Sequence, residues 1–451
     1  MTKPSKTAFV CQQCGNAAPK WAGRCPGCGG WNTLVEERVV AQPKGRPVRS
    51  RATPIALLDV PADEEQRLVT GLSEFDRVLG GGIVRGSLIL LGGEPGIGKS
   101  SLLGQVSALV SQRGPVLYVT GEESPAQVKL RARRLGVERA DIRLLAETDV
   151  DSIVEHLRDL QPVLAVVDSI QTMSSSDIGS AAGSVSQLRE SAARFLEAAK
   201  SLGVPIFLVG HVTKDGAIAG PRVLEHMVDA VLYLEGDRFH AFRILRATKD
   251  RFGSTDEVGV FEMGEAGLTE VRNPSQVFLE ERGAAAGSVV VPTLEGTRPL
   301  LVEIQALVSP TAFGLPRRTV SGVDMNRTLV LLAVLAKRAG IGLGAHDVYV
   351  SLAGGLRVRE PAADLGVAAA MASAYRDRAC QTGTVLIGEV GLSGEVRRVS
   401  RIASRLAEAR SLGFTRAIVP KGNLADVASD GLTVEGVATL REALSKIALS
   451  D

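Results

Sequence analysis

Residues 93–100 read Gly93-Glu94-Pro95-Gly96-Ile97-Gly98-Lys99-Ser100, with Ser101 next, and follow the apolar run Ser87-Leu88-Ile89-Leu90-Leu91. G-x-x-x-x-G-K-[ST] at the end of a strand and the start of a helix constrains the local fold to a phosphate-binding strand–loop–helix unit. Its glycines let backbone N–H groups close around phosphate oxygens, aided by the positive end of the helix dipole. Lys99 can reach the terminal phosphates, and the Ser100 hydroxyl suits a Mg²⁺ ion. The chain is expected to bind a nucleoside triphosphate with Mg²⁺ and to hydrolyse it.

At 451 residues the chain is long enough for about three folded units. No apolar run approaches the roughly 18 residues of a membrane span, and 329–336 is the nearest. The opening residues lack a signal-peptide apolar stretch, so a cytoplasmic protein without membrane contact is expected. The net charge of +2 hides an asymmetry: residues 1–51 carry nine Lys or Arg against Glu36 and Glu37, +7 in all, leaving −5 for the rest. A basic arm of this kind marks either contact with a polyanion or a solvated linker.

Four of the five cysteines stand near the start as C-x2-C-x10-C-x2-C: Cys11, Cys14, Cys25 and Cys28. Each C-x-x-C turn aims two thiolates at one point, and two turns complete a tetrahedral Zn²⁺ site with no open position, hence a structural one. The segment is too short to fold on its own core, so metal binding supplies its stability. Trp21 and Trp31, the only tryptophans, flank the second turn and either pack on it or form a contact surface. Cys380 stands alone and reads as a small, partly buried residue.

Residues 39–61 read as a linker. Beyond the phosphate loop, strand-like runs at 116–120, 163–168 and 204–210 alternate with helical patterns at 125–135 and 185–201. Such alternation implies a parallel sheet covered by helices on both faces, with ligands at the C-terminal strand ends. The helix at 125–135 is expected to turn Arg131, Arg133 and Arg134 outward. Asp168 ends an apolar strand, as a carboxylate of the Mg²⁺ shell does. Glu122 and Glu123 follow the 116–120 strand; one is expected to orient the attacking water and the other to support it. His211, at another strand end, either senses the γ-phosphate or is plain structure. Lys249-Asp250-Arg251-Phe252-Gly253 follows the strand at 242–247, with two cations on alternate positions.

The order of zinc ribbon, G-E-P-G-I-G-K-S, G-E-E-S and K-x-R-F-G resembles the bacterial RadA (Sms) family of DNA repair proteins over essentially the whole chain. The resemblance implies a RecA-like ATPase of homologous recombination and the DNA-damage stress response, similar to hexameric replicative helicases. It further implies binding of single-stranded and branched DNA, ATP-driven branch migration, recombinase filament partners and a homohexameric ring. Lys249 and Arg251 match the family's K-N-R-F-G stretch, while Asp250 replaces the usual Asn and adds a negative charge between two cations.

After a connector at 279–288, strands are expected at 288–292, 300–308, 347–352 and 383–388, and helices at 325–339, 362–374 and 399–412. This part resembles the proteolytic domain of Lon, whose Ser–Lys dyad has its Ser in a P-S-A-G stretch. Here that stretch is Ala363-Asp364-Leu365-Gly366, and Ala403 falls near the lysine position. An aspartate is no serine nucleophile, and without the lysine nothing activates one, so no peptidase activity is expected. Lys337, Arg338, Arg357, Arg359, Arg397 and Arg398 either line a DNA channel or are solvated surface.

The expected architecture is α/β: a RecA-like parallel-sheet ATPase core (51–275), a small N-terminal zinc ribbon with basic linker (1–50), and an α+β Lon-protease-like domain (276–451). The competing reading is an ATP-dependent protease or a regulatory ATP switch.

Overall fold

The structure, a computed structural model, describes residues 6–12, 16–39, 56, 67–211, 223–236, 242–279, 283, 285–311, 314–352, 358–427 and 431–447. Cys14, Arg357 and nearly all of the expected linker lie outside these. The chain divides into two compact units, residues 1–235 with 243–270 and residues 236–242 with 271–451.

In the first unit β1 (Lys6–Cys11), β2 (Ala17–Ala18) and β3 (Leu34–Val39) form an antiparallel sheet in the order β2-β1-β3. Its core is Cys11, Cys25 and Leu34, with Phe9 and Ala18 packed against them. So few apolar groups cannot offset the entropy of ordering the chain, which is why a metal is expected to staple it.

Next, β4 (Arg67–Leu68) and β5 (Ile83–Val84) pair across α1 (Ser73–Val78). A nine-stranded sheet follows, built from β6 (Leu88–Gly93), β7 (Val116–Thr120), β8 (Ile142–Ala146), β9 (Leu164–Asp168), β10 (Ile206–Val209), β11 (Ala230–Glu235), β12 (Phe242–Asp250), β13 (Val258–Gly264) and β14 (Gly267–Glu270). The strand order is β14-β13-β12-β11-β6-β10-β9-β7-β8. From β11 to β8 every neighbouring pair is parallel.

The helices are α2 (Lys99–Val110), α3 (Pro125–Arg134), α4 (Val150–Leu160) and α5 (Val185–Leu202). Because strand side chains alternate, Leu88 and Leu90 face Leu157, Leu188 and Phe195 of α4 and α5, while Ile89 and Leu91 join Phe75, Leu103 and Val106 of α1 and α2. The core is therefore a RecA-like α/β sheet covered on both faces. Ser124 starts α3 with a capping box, accepting from Gln127 N while its own N–H donates to Gln127 Oε1.

Two features differ from expectation. The sheet is mixed, since β11–β12 and β13–β14 are antiparallel; short hairpin strands lack the helical interruptions that signal a β-α unit. Arg131 does not point outward with Arg133 and Arg134 but turns back to Glu123 and Tyr118, because the carboxylates of Glu123 and the buried Asp168 attract it.

The second unit holds a seven-stranded sheet in the order β17-β18-β16-β15-β19-β22-β23. Its strands are β15 (Ser288–Glu295), β16 (Arg298–Pro310), β17 (Arg318–Ser321), β18 (His346–Leu352), β19 (Thr384–Leu386), β22 (Arg416–Pro420) and β23 (Thr433–Val437); β20 (Glu389–Val390) and β21 (Val396–Arg397) pair separately. Helices α6 (Pro274–Leu279), α7 (Met325–Val334), α8 (Asp364–Arg376), α9 (Ile402–Ser411) and α10 (Leu440–Lys446) complete an α+β unit. The small residues of α8 have a packing reason: a Cβ on Gly366 would stand 2.1 Å from Val291 Cγ2 on β15.

Candidate functional site

The phosphate loop leaves β6 and enters α2 through Gly96 and Gly98, whose φ of +78° and +114° favour glycine. A Cβ on Gly98 would also come within 2.4 Å of Met263 Cε. Lys99, the first residue of α2, is 3% exposed, and its Nζ donates to the carbonyls of Gly93 (2.9 Å) and Glu94 (3.0 Å). Burial pushes its pKa down to about 8, opposed by the nearby charges of Asp168 and Glu122. A buried ammonium resting on carbonyl dipoles is suited to an incoming polyphosphate, and Ser100 and Ser101 follow it on the first turn of α2.

Parallel pairing brings the other expected residues to the same sheet edge. Thr120 of β7 is in register with Asp168 of β9, and Leu91 of β6 with Val209 of β10. Asp168 is buried, and its Oδ2 accepts from the Tyr118 hydroxyl at 2.6 Å. The two glutamates part company. Glu122 accepts from Ser169 Oγ and has its Oε1 3.6 Å from His211 Nε2. Glu123 pairs with Arg131, whose Nη2 also donates to Tyr118 Oη (3.1 Å). This geometry suits Glu122 for receiving a proton beside the phosphate loop, and Glu123 for bracing the Arg131–Tyr118–Asp168 chain.

Strand β12 runs on through Lys249 to Asp250, so Arg251 lies just past its end, and both cations reach the 225–229 segment. Lys249 Nζ donates to the carbonyls of Glu225 (2.7 Å) and Val228 (2.8 Å). Arg251 Nη1 lies 3.4 Å from Asp229 Oδ1, and Arg251 N donates to Asp229 O (3.1 Å). Asp229 is 1% exposed, and its Oδ2 accepts from Leu88 N (3.0 Å) and Lys200 Nζ (2.8 Å). Leu88 begins β6 and Gly93 ends it, so this cluster and the phosphate loop sit at opposite ends of one strand, roughly 17 Å apart at about 3.3 Å per residue.

The charge of Asp250 is not set between the two cations. Its carboxylate caps Phe252 N (2.9 Å) on the side of Arg67, and burial pushes its pKa up. Arg67 fastens this turn by donating to Phe252 O (2.7 Å) and Leu79 O (2.6 Å).

In the ribbon, Cys11, Cys25 and Cys28 bring their sulfurs within 4.8 Å of one another, and Gly27 N points at Cys25 Sγ (3.3 Å). Three converging thiols with an amide turned to sulfur fit a Zn²⁺ site, and Cys14 belongs to the same C-x-x-C turn as Cys11. In the second unit Asp364 is buried and accepts from Arg327 Nε (3.0 Å) and Val390 N (3.1 Å). Ala403 lies exposed on α9. Of the basic candidates there, Arg397 pairs with Glu395 and Arg398 with Asp426, while Lys337, Arg338 and Arg359 are exposed.

Three family models match the chain: an AAA domain at residues 51–217, a rubredoxin metal-binding domain at 9–36, and subunit ChlI of Mg-chelatase at 306–423. The DNA repair protein RadA of Bacillus subtilis is 55% identical over 449 residues, 98% of each chain. Those of Halalkalibacterium halodurans (53% identical, 97% of this chain and 98% of the relative) and Listeria monocytogenes (52%, 99% of each) are similar over the same extent. The chain belongs to the RadA family.

Sequence reasoning missed Tyr118, Arg131, Asp229 and Arg67. Tyr118 and Arg131 reach the site from a strand interior and a helix face, so only register reveals them. Asp229 precedes an apolar strand, as Asp168 ends one, and its burial is the only further signal.

Proposed function

We propose that this chain is a DNA-dependent ATPase of DNA repair and homologous recombination that binds single-stranded DNA and drives branch migration as a ring-shaped homohexamer in the cytoplasm. The observation that carries the reading is the convergence of Lys99, Asp168 and Glu122 at one edge of a RecA-like sheet. Residues 51–275 would be the motor, 1–50 the ribbon and its basic linker, and 276–451 a Lon-like domain without peptidase activity. Membership of a family of DNA repair proteins supports the DNA, and the ring and the recombinase partners are part of the proposal.

ATP would lie on the amides of residues 93–101, with Lys99 leaving its carbonyls for the β- and γ-phosphates. Ser100 and Asp168 would hold Mg²⁺, which when bound neutralises charge on the phosphoryl oxygens. Glu122 takes the proton of the attacking water, and Ser169 and His211 orient its carboxylate. Glu123 keeps Arg131 and Tyr118 in place beneath Asp168. Lys249 and Arg251, distant from their own phosphate loop, would serve ATP bound by the neighbouring subunit. Cys11, Cys14, Cys25 and Cys28 would hold one structural Zn²⁺. In the second unit, the Arg327 clamp on Asp364 supports a structural rather than a nucleophilic role.

The test is ATP turnover with and without single-stranded DNA, beside a casein digestion control. Turnover stimulated by DNA, lost in Lys99→Ala, and no casein cleavage are expected. Casein cleavage would support the protease reading, and turnover indifferent to DNA the switch reading.

A further inference from the structure

The two tryptophans are not part of the ribbon's core. Trp21 is 58% and Trp31 71% exposed. Both indoles rise on the same side of Gly23. A Cβ built on that glycine would stand 3.8 Å from Trp21 Cη2 and 3.7 Å from Trp31 Cζ3, so both rings border the same face of Gly23 at van der Waals distance. Arg24 is exposed beside them, bridged to Trp31 across the chain and donating its Nε to Gly29 O (3.0 Å). Lys20, also exposed, precedes Trp21.

Two indoles left in water forgo the burial that aromatic side chains normally gain, and neither holds the fold. Their setting is cationic. Residues 1–39 contain Lys3, Lys6, Lys20, Arg24 and Arg38 against Glu36 and Glu37, +3 in all, and the two carboxylates stand together on β3. A Zn²⁺ held by four thiolates carries −2, so this segment keeps a net charge of +1 with its metal bound. Flat aromatic faces beside exposed cations match single-stranded nucleic acid, whose bases stack on rings irrespective of sequence while phosphates meet Lys and Arg. An acidic protein partner would satisfy the cations without needing two separated ring faces.

We propose that Trp21 and Trp31 form a base-stacking platform for single-stranded DNA, their exposed ring faces receiving nucleobases and Lys20 and Arg24 meeting the adjoining phosphates. This deepens the DNA-dependent reading above and rests on it.

The chain is its own reporter, because these are its only tryptophans. The zinc-loaded full chain with ATP is titrated with a dye-labelled oligo(dT), following dye anisotropy and, with an unlabelled strand, indole emission. Quenching that saturates with binding is expected with oligo(dT) and not with an abasic strand of equal length. Trp21→Ala/Trp31→Ala, with zinc content equal to wild type, should bind oligo(dT) at least about fivefold more weakly. Trp21→Phe/Trp31→Phe should restore most of the loss, since phenylalanine also stacks. Unchanged affinity of the double alanine variant overturns the platform while leaving DNA binding intact, and assigns the indoles to a protein partner. Absence of oligo(dT) binding by the wild type in the anisotropy channel sinks the DNA-dependent reading and the platform together.

Discussion

Arg251 stands 3.4 Å from Asp229, the same buried carboxylate that holds the first amide of the strand leading into the phosphate loop. One acidic group thus ties the start of β6, Lys200 of α5 and the K-D-R-F-G turn into a single cluster. The guanidinium remains more than half exposed on this anchor, oriented but accessible. Each chain consequently presents a fixed phosphate loop at one end of β6 and a fixed cation at the other.

That geometry frames a subunit-mixing experiment. Lys99→Ala chains lack a competent nucleotide site but keep Arg251, and Arg251→Ala chains have the reverse defect. Where an Arg251→Ala site faces a Lys99→Ala neighbour, every part is present. A cation supplied in trans accelerates phosphoryl transfer by about 10³-fold or more, so mixing the two inactive proteins should restore measurable turnover once mixed assembly is verified. No recovery would point to a DNA-binding role for the pair.

Lys99 predicts a pH dependence of nucleotide binding. Its pKa of about 8 in the nucleotide-free chain should rise when phosphates surround it, so the protonated form binds ATP more tightly. Affinity should be flat below pH 8 and fall above it, approaching tenfold per unit, in fluorescence titrations with a labelled ATP analogue. Lys99→Arg stays charged throughout. A wild-type profile as flat as that of Lys99→Arg would sink this account.

The two glutamates should separate in mutant kinetics. Glu122→Gln removes the group beside the phosphate loop and should lower kcat by about 10²–10⁴ while leaving ATP affinity within a few-fold. Glu123→Gln breaks an ion pair with Arg131 and should cost no more than about tenfold, by loosening the support under Asp168. Steady-state ATPase assays of both variants decide the matter, and the opposite ranking would assign the base to Glu123.

Freshly purified, reduced protein should carry about one equivalent of zinc. Cys25→Ser, which removes a buried ligand at the centre of the small ribbon core, should lose most of it and expose residues 6–39 to proteolysis. Less than about half an equivalent in the wild type would count against a tetrathiolate site.

The phosphate loop, the paired C-x-x-C turns and the strand ending at Asp168 were legible in the sequence because each rests on local geometry: a tight glycine turn, a two-residue knuckle, an apolar run with a polar end. The resemblance to Lon pointed to Asp364, and the structure supplied its partner, Arg327, from another helix. What separates Glu122 from Glu123 depends on which neighbours the parallel register delivers, Ser169 and His211 to one, Arg131 to the other. The same holds for Asp250, whose charge sits between two cations in sequence but faces Arg67 in space, because alternate residues of an extended chain point to opposite sides. Local pattern determined which chemistries this chain carries. Long-range pairing, which brings together residues separated by scores of positions, decided which side chains share a site.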